Sequence, residues 1–110
     1  MSVVNLTRHD IQIVRDGHII TIPASGQVAR LAVRDTPTKN ITGIPGIRVV
    51  NAQITEPVGL PEPDGESTYI LSSLMALKLA SKRPDLLSPL RPFYYEPLGG
   101  TACRGLKRYV

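Results

Sequence analysis

The stretch that decides the fold is EPVGLPEPDGESTYILSSLMALKLASKRPDLLSP, Glu56 to Pro89. It opens on prolines and acids, narrows to the apolar run Thr68–Leu71, and passes through Ser72-Ser73 into a leucine-rich segment. The run Thr68-Tyr69-Ile70-Leu71 is too short for a helix and too apolar for an exposed edge, so it reads as a buried strand. A serine just before an apolar segment marks a helix start, because its hydroxyl accepts from the open backbone N–H groups of the first turn. Pro84 sets the other limit, since the residue before a proline is driven out of the α region. A helix is therefore expected over about 73–82. On a helical wheel Leu71, Leu74, Met75, Leu77 and Leu79 cover most of the circumference, and Lys78 and Lys82 share a narrow polar stripe. Such a helix is expected to plug the core, its five apolar side chains contributing roughly 8–12 kcal/mol gross at ~25 cal/mol per Å2.

Upstream of that stretch the periodicity is that of strands. Ile11 and Ile13 alternate with Gln12, Asp16-Gly17 is a hairpin signal, and Ile20 and Ile22 share a face of the return strand. Pro23 stops the pairing, because it has no N–H to donate. Gln27 to Pro37 reads as a further strand with Ala29, Leu31 and Val33 on one face. The segment 36–46 is a loop by its Pro, Asn and Gly content, either a mobile flap or an ordinary surface loop. Ile47 to Thr55 is a strand with imperfect alternation, which a bulge or burial on both faces explains. Downstream, 91–109 reads as a final hairpin around Gly99-Gly100. The expected fold class is α+β in a single domain over 1–110: a small, strongly bent antiparallel sheet or partial barrel with one covering helix.

Composition narrows the function classes. The 110 residues include 42% hydrophobic and 20% charged side chains, with ten prolines and nine glycines spread along the chain, which suits short elements joined by tight turns. No apolar run reaches the roughly 20 residues that cross a bilayer. The opening MSVVNLTRHD lacks the charged-then-apolar pattern of a secretion signal, so a cytoplasmic protein is expected. One cysteine, Cys103, excludes an intrachain disulfide. With only His9 and His18 beside it, metal-ligand spacing is absent and no metal or cofactor is expected. The net charge of +4 admits an anionic partner. Yet the basic residues form no dense run and the aromatics do not interleave with them, which argues against nucleic acid.

Four places carry candidate chemistry. Asn5, Thr7 and His9 alternate onto one face of a strand, as a pocket lining or as the wet face of a sheet. Ser25, Gln27 and Arg30 offer a turn hydroxyl, an amide and a planar fork suited to phosphate or carboxylate, or else a turn and a surface arginine. The junction at Ser72 offers backbone donors and a hydroxyl to an anion, or a plain helix cap. The carboxylates Glu56, Glu62, Asp64 and Glu66 sit in a Pro/Gly loop where acids are solvated. No serine-nucleophile elbow and no zinc-protease motif is present, so the reading leans to a non-enzymatic protein.

Five motifs in fixed order, VNLTRHDI, SGQVARL, VGLPEPDGESTYILSSLMA, KRPDLLSP and GGTACRGL, resemble a family of small uncharacterised proteins of bacteriophages and of bacterial, especially actinobacterial, genomes. The resemblance spans Val4 to Leu106. Two departures stand out: Arg8 replaces the proline usual in that family's Asn-Leu-Thr-Pro-His opening, and Thr101-Ala102-Cys103 replaces a Gly-x-Cys pattern. The resemblance implies a phage or prophage setting in a host cytoplasm. In that setting the residues fit a small protein that binds an anionic, nucleotide-like molecule and so sequesters a nucleotide signal of bacterial immunity, an anti-defence role. Asn5, Thr7, His9, Ser25, Gln27, Arg30, Ser72, Arg83 and Arg104 are the expected ligand-binding set. The alternative is a structural or protein-interaction module, a virion accessory or an inhibitor of a host protein. A homo-oligomer, dimer or higher, is expected in either case, because a small sheet leaves edges and faces to cover.

Overall fold

The computed structural model describes residues 2–110. Ten strands and one helix follow in the order β1 (Ser2–Asn5), β2 (Ile11–Arg15), β3 (His18–Ile22), β4 (Arg30–Pro37), β5 (Val50–Val58), β6 (Ser67–Ile70), α1 (Ser73–Leu79), β7 (Leu86–Leu90), β8 (Phe93–Tyr95), β9 (Gly100–Ala102) and β10 (Gly105–Lys107). The α+β class stands as the sequence indicates. The apolar run of the opening stretch is β6, the second strand of a four-stranded sheet ordered β1-β6-β7-β10. Its pairings with β1 and with β7 are parallel, and only β7–β10 is antiparallel. An antiparallel sheet throughout was the expectation. The central sheet is mixed instead, because α1 carries the chain over and returns it alongside β6 rather than against it. Ile70 is fully buried and Tyr69 is 5% exposed, as suits a strand with a neighbour on each edge.

Three antiparallel hairpins surround this sheet, β2–β3, β4–β5 and β8–β9, and no sheet closes into a barrel. The first turns at Asp16-Gly17, both with positive φ (51° and 77°), the backbone that such a two-residue hairpin needs. In β4–β5, Leu31 pairs with Pro57 and Val33 with Ile54, so Thr55 and Glu56 lie together opposite Ala32. That bulge accounts for the broken alternation of β5, and Thr55 Oγ1 donates to Ala32 O across it at 3.2 Å. Gly59 follows with φ +82°, and a Cβ there would press on the carbonyl oxygen of Val28, so this turn accepts only glycine. The C-terminal hairpin ends at Ala102, and the chain then leaves it to add β10 to the central sheet.

Two groups of side chains form the core. Leu6, Tyr69, Leu71, Met75 and Leu86 lie on the α1 side, with Ala29, Leu31 and Leu79 packed against them. Ile11, Ile70 and Cys103 lie on the other, with Ile13, Ile22, Leu87 and Leu106. Cys103 is a buried apolar filler whose backbone bridges to β2. The helix corrects its expected role as a plug. It spans seven residues, and Met75 and Ala76 are buried, but Leu74 is 58% and Leu77 55% exposed. Only one side of α1 meets the sheet, and nothing among the described residues covers the rest.

The molecule is long. A compact chain of this length has a radius of gyration of about 13 Å, whereas the value here is 17.6 Å with extents of 55 × 37 × 27 Å. The outer part of β4–β5 and its loop account for this: residues 33–48 and 51–56 are all exposed. Among the described residues no helix is long and apolar enough to cross a membrane.

Candidate functional site

β1 stops at Asn5, and residues 6–10 form a turn rather than the continued strand that alternation suggests. Asn5 builds that turn. Its Nδ2 donates to His9 O (2.9 Å) and to Ile22 O (3.1 Å), while its Oδ1 accepts from Thr7 N (2.9 Å) and Thr7 Oγ1 (2.6 Å). At 1% exposure Asn5 has all its polar capacity used within the fold and none turned to solvent. Thr7 Oγ1 is likewise within reach of His9 O at 2.9 Å. The turn pushes Arg8 and His9 outward, and both are exposed.

The segment Ser25–Arg30 passes beside this turn. Ser25 N donates to Asn5 O and Ala29 N to Leu6 O, both at 3.0 Å. Gln27 Nε2 donates to Gly59 O at 3.0 Å, which ties the turn to the root of β5. The start of α1 completes the wall. Ser72 Oγ accepts from Met75 N at 3.4 Å and is the N-cap, so its hydroxyl serves the helix. The three segments therefore meet around one open hollow of about 440 Å3. Arg8, His9, Arg30 and Ser72 supply its polar lining, and Val28, Leu31, Leu74 and Met75 part of its apolar floor. The described ion pairs are Arg15–Asp16 and Arg83–Asp85, so neither Arg8 nor Arg30 is neutralised among the described residues. Of the expected set, His9, Arg30 and Ser72 come together here. Asn5 is buried beneath the turn that presents His9, Thr7 lines a neighbouring hollow with Asp10, and Ser25 and Gln27 hold the turn at the side.

Arg83 and Arg104 lie elsewhere. Arg83 forms a two-toothed pair with Asp85 (Nε–Oδ1 2.9 Å, Nη2–Oδ2 2.8 Å) and donates to Pro61 O at 2.9 Å. The guanidinium holds the Asp85 carboxyl below the usual carboxylate range, and the carboxylate in turn raises Arg83. Arg104 stacks over the Phe93 ring, 4.6 Å from its centroid. Two further hollows are less suited to an anion. One of about 480 Å3, between His9, Pro89 and Pro92, carries Asp10 as its charged group. The other, about 420 Å3 beside the base of β5, has Glu56 and Glu62 facing Lys82 and the already paired Arg83. Alternation along Asn5, Thr7 and His9 pointed past Arg8. The one mark on it in the sequence is the expected family resemblance, from whose Asn-Leu-Thr-Pro-His opening Arg8 departs; its side chain lines the hollow.

The fold and the hollow thus define a small α+β protein with a half-apolar, basic-rimmed cup and a projecting hairpin. No family model, no curated protein and no solved structure matches the chain.

Proposed function

We propose that the protein is a non-enzymatic binder of an anionic, nucleotide-like small molecule, held in the hollow between Arg8, His9, Arg30 and Ser72. The observation that carries this reading is the convergence of two arginines without acidic partners on an open space of ligand size floored by aliphatic carbon. A planar fork from each arginine suits phosphate oxygens, and the Val28–Leu31–Leu74–Met75 floor suits the flat face of a base. In the phage or prophage setting that the family resemblance implies, such a protein acts in the host cytoplasm, as an oligomer, by keeping a nucleotide immune signal from its receptor. No acid–base pair or activated nucleophile lies in the hollow, which supports holding a ligand over turning it over.

Thermal unfolding with ADP-ribose and with cyclic dinucleotides tests this. A ligand at a hundredfold excess over its Kd stabilises by about 2.7 kcal/mol, a plain shift in Tm. Arg8→Ala and Arg30→Ala are expected to abolish the shift, and Arg15→Ala on the distant β2–β3 hairpin to leave it. No shift above about 1 °C with any of these ligands, or a shift indifferent to both arginines, ends the reading. A second reading, a virion accessory or an inhibitor docking on a host protein, is favoured by the exposed hairpin. Presence in purified particles at fixed stoichiometry would separate it from the first.

A further inference from the structure

The β4–β5 hairpin is two-faced along its projecting length. Val33 lies opposite Ile54, Asp35 opposite Ala52 and Pro37 opposite Val50, so these residues share one face. Arg34 opposite Gln53 and Thr36 opposite Asn51 share the other, which is wholly polar. Asp35 is the one charged residue on the first face. This face continues the side on which Leu31, at the root of the hairpin, packs into the core. Beyond the root little among the described residues meets it: Val33 is 56% and Ile54 44% exposed, and Ile54 only borders the hollow that it shares with Leu79 and Lys82. At the tip Ile41 (81%), Ile44 (58%) and Ile47 (44%) are open as well. The tip is nevertheless built, since Asn40 Oδ1 accepts from Thr42 N (3.1 Å) and Asn40 Nδ2 donates to Ile44 O (2.6 Å). An isolated two-stranded ribbon with an open apolar face is marginal in water, so this face calls for a cover.

We infer that the cover is the same face of a second copy of this chain, the two arms packing apolar side to apolar side about a two-fold axis. Area is the first argument. The chain exposes 7840 Å2, against about 6,000 Å2 for a compact monomer of 12.0 kDa. Shared between the two faces of the arm, the surplus of about 1,800 Å2 leaves roughly 900 Å2 on the apolar one, of the order of the ~800 Å2 that each partner gives to a stable interface. Charge is the second. Between residues 33 and 56 three cations (Arg34, Lys39, Arg48) stand against two anions (Asp35, Glu56). The arm is thus near neutral within a chain of net charge +4, and two arms approach without the repulsion that two whole surfaces would meet, provided that Asp35, the one charge on the packing face, stays at the wet edge of the contact. The same balance fits neither a polyanion nor a strongly acidic partner. Symmetry is the third: a two-fold axis sets Val33 and Ile54 against the partner's matching ribbon and leaves the polar faces in water, a closed and self-complementary arrangement. This inference stands apart from the ligand-binding proposal, since no residue of the arm face lines the Arg8–Arg30 hollow.

Sedimentation velocity on the full chain, from about 1 to about 100 μM, tests it. The expected species is a dimer that Val33→Lys with Ile54→Lys converts to monomer, while Arg34→Ala with Gln53→Ala on the opposite face leaves it dimeric. Both lysine replacements fall on side chains already exposed, and circular dichroism checks that the body stays folded. As a second reading independent of those variants, Asn51→Cys carries a nitroxide label on the polar face, Cys103 being buried and out of reach. Ribbons stacked about 10 Å apart place the two labels within about 30 Å of each other. A monomer at all concentrations, a dimer that persists in the lysine variant, one lost instead with the Arg34/Gln53 variant, or no label pair within that range overturns the inference.

Discussion

Asn5 and Asn40 build the same turn in two surroundings. Each begins an Asn-x-Thr-x-x pattern, NLTRH at 5–9 and NITGI at 40–44. In each the asparagine Oδ1 accepts from the threonine N–H and hydroxyl, and Nδ2 reaches the carbonyl four residues on. The difference is burial, for Asn5 is closed in by the core and also holds Ile22 O, whereas Asn40 stands at the arm tip in water. A hydrogen bond lost in water is replaced by solvent, but one lost inside leaves its partner unsatisfied. Asn5→Ala is therefore expected to cost about 3 kcal/mol of stability and Asn40→Ala about 0.5 kcal/mol, read from urea midpoints at constant slope. Equal costs would mean that burial does not govern this turn. The Asn-x-Thr spacing is visible in the sequence and reads there as one face of a strand; the structure makes it a turn. The same spacing fits a strand, and only the partners distinguish the two. Its inward hydrogen bonds are what leave Arg8 and His9 on the outside.

The elements from Asp64 to β7 are fastened by carboxylates at either end. Asp64 opens β6 by accepting from Ser67 N (2.7 Å), Glu66 N (2.8 Å) and Ser67 Oγ (2.8 Å), and these donors hold its pKa down at about 2. Asp85, before β7, is lowered by Arg83, which also grips the loop at Pro61 O. Both folded values lie below the ordinary 3.8, so each carboxylate supports the fold fully above that pH and loses its contribution as pH falls through its lowered value. Stability is expected to climb from about pH 2 to about pH 4 and then level off, with Asp64→Asn and Asp85→Asn each flattening the climb. A climb in urea midpoint between pH 2 and pH 4 that is as steep in both variants as in the parent would refute this. At this scale much was legible. The continuous apolar run of β6 announced a strand buried on both sides, and Ser72 and Pro84 bracketed the helix. Parallel pairing was not legible, because periodicity reports how a strand faces and not which strand lies beside it. β7 was hidden for a local reason. LLSPL carries a proline, tolerated because β6 pairs only with Leu86 and Leu87 and Pro89 lies beyond it.

Across the whole molecule the body and the arm are separate in energy as well as in space. Every buried side chain of the two core groups lies outside 33–56, and the hairpin touches the core only through Ala29 and Leu31 at its root. Alternation in Gln27–Pro37 showed that the strand is two-faced, but a two-faced pattern is the same whether a second layer belongs to the chain or to another molecule. That ambiguity is why the long shape was not legible, and why the leucines of α1 were expected inside. The separation has a direct consequence. Arg34 and Gln53 lie opposite each other, so an Asn-Gly turn joining them directly closes a short hairpin in place of residues 35–52. Because that excision removes no core contact, the shortened chain is expected to unfold cooperatively with a Tm within about 5 °C of the dissociated full chain, equivalent to roughly 1 kcal/mol at this size. It is also expected to keep whatever ligand response the Arg8–Arg30 hollow gives. Loss of the cooperative transition would show that the body depends on the arm for its fold, and the surplus surface would then have to be explained from within one chain.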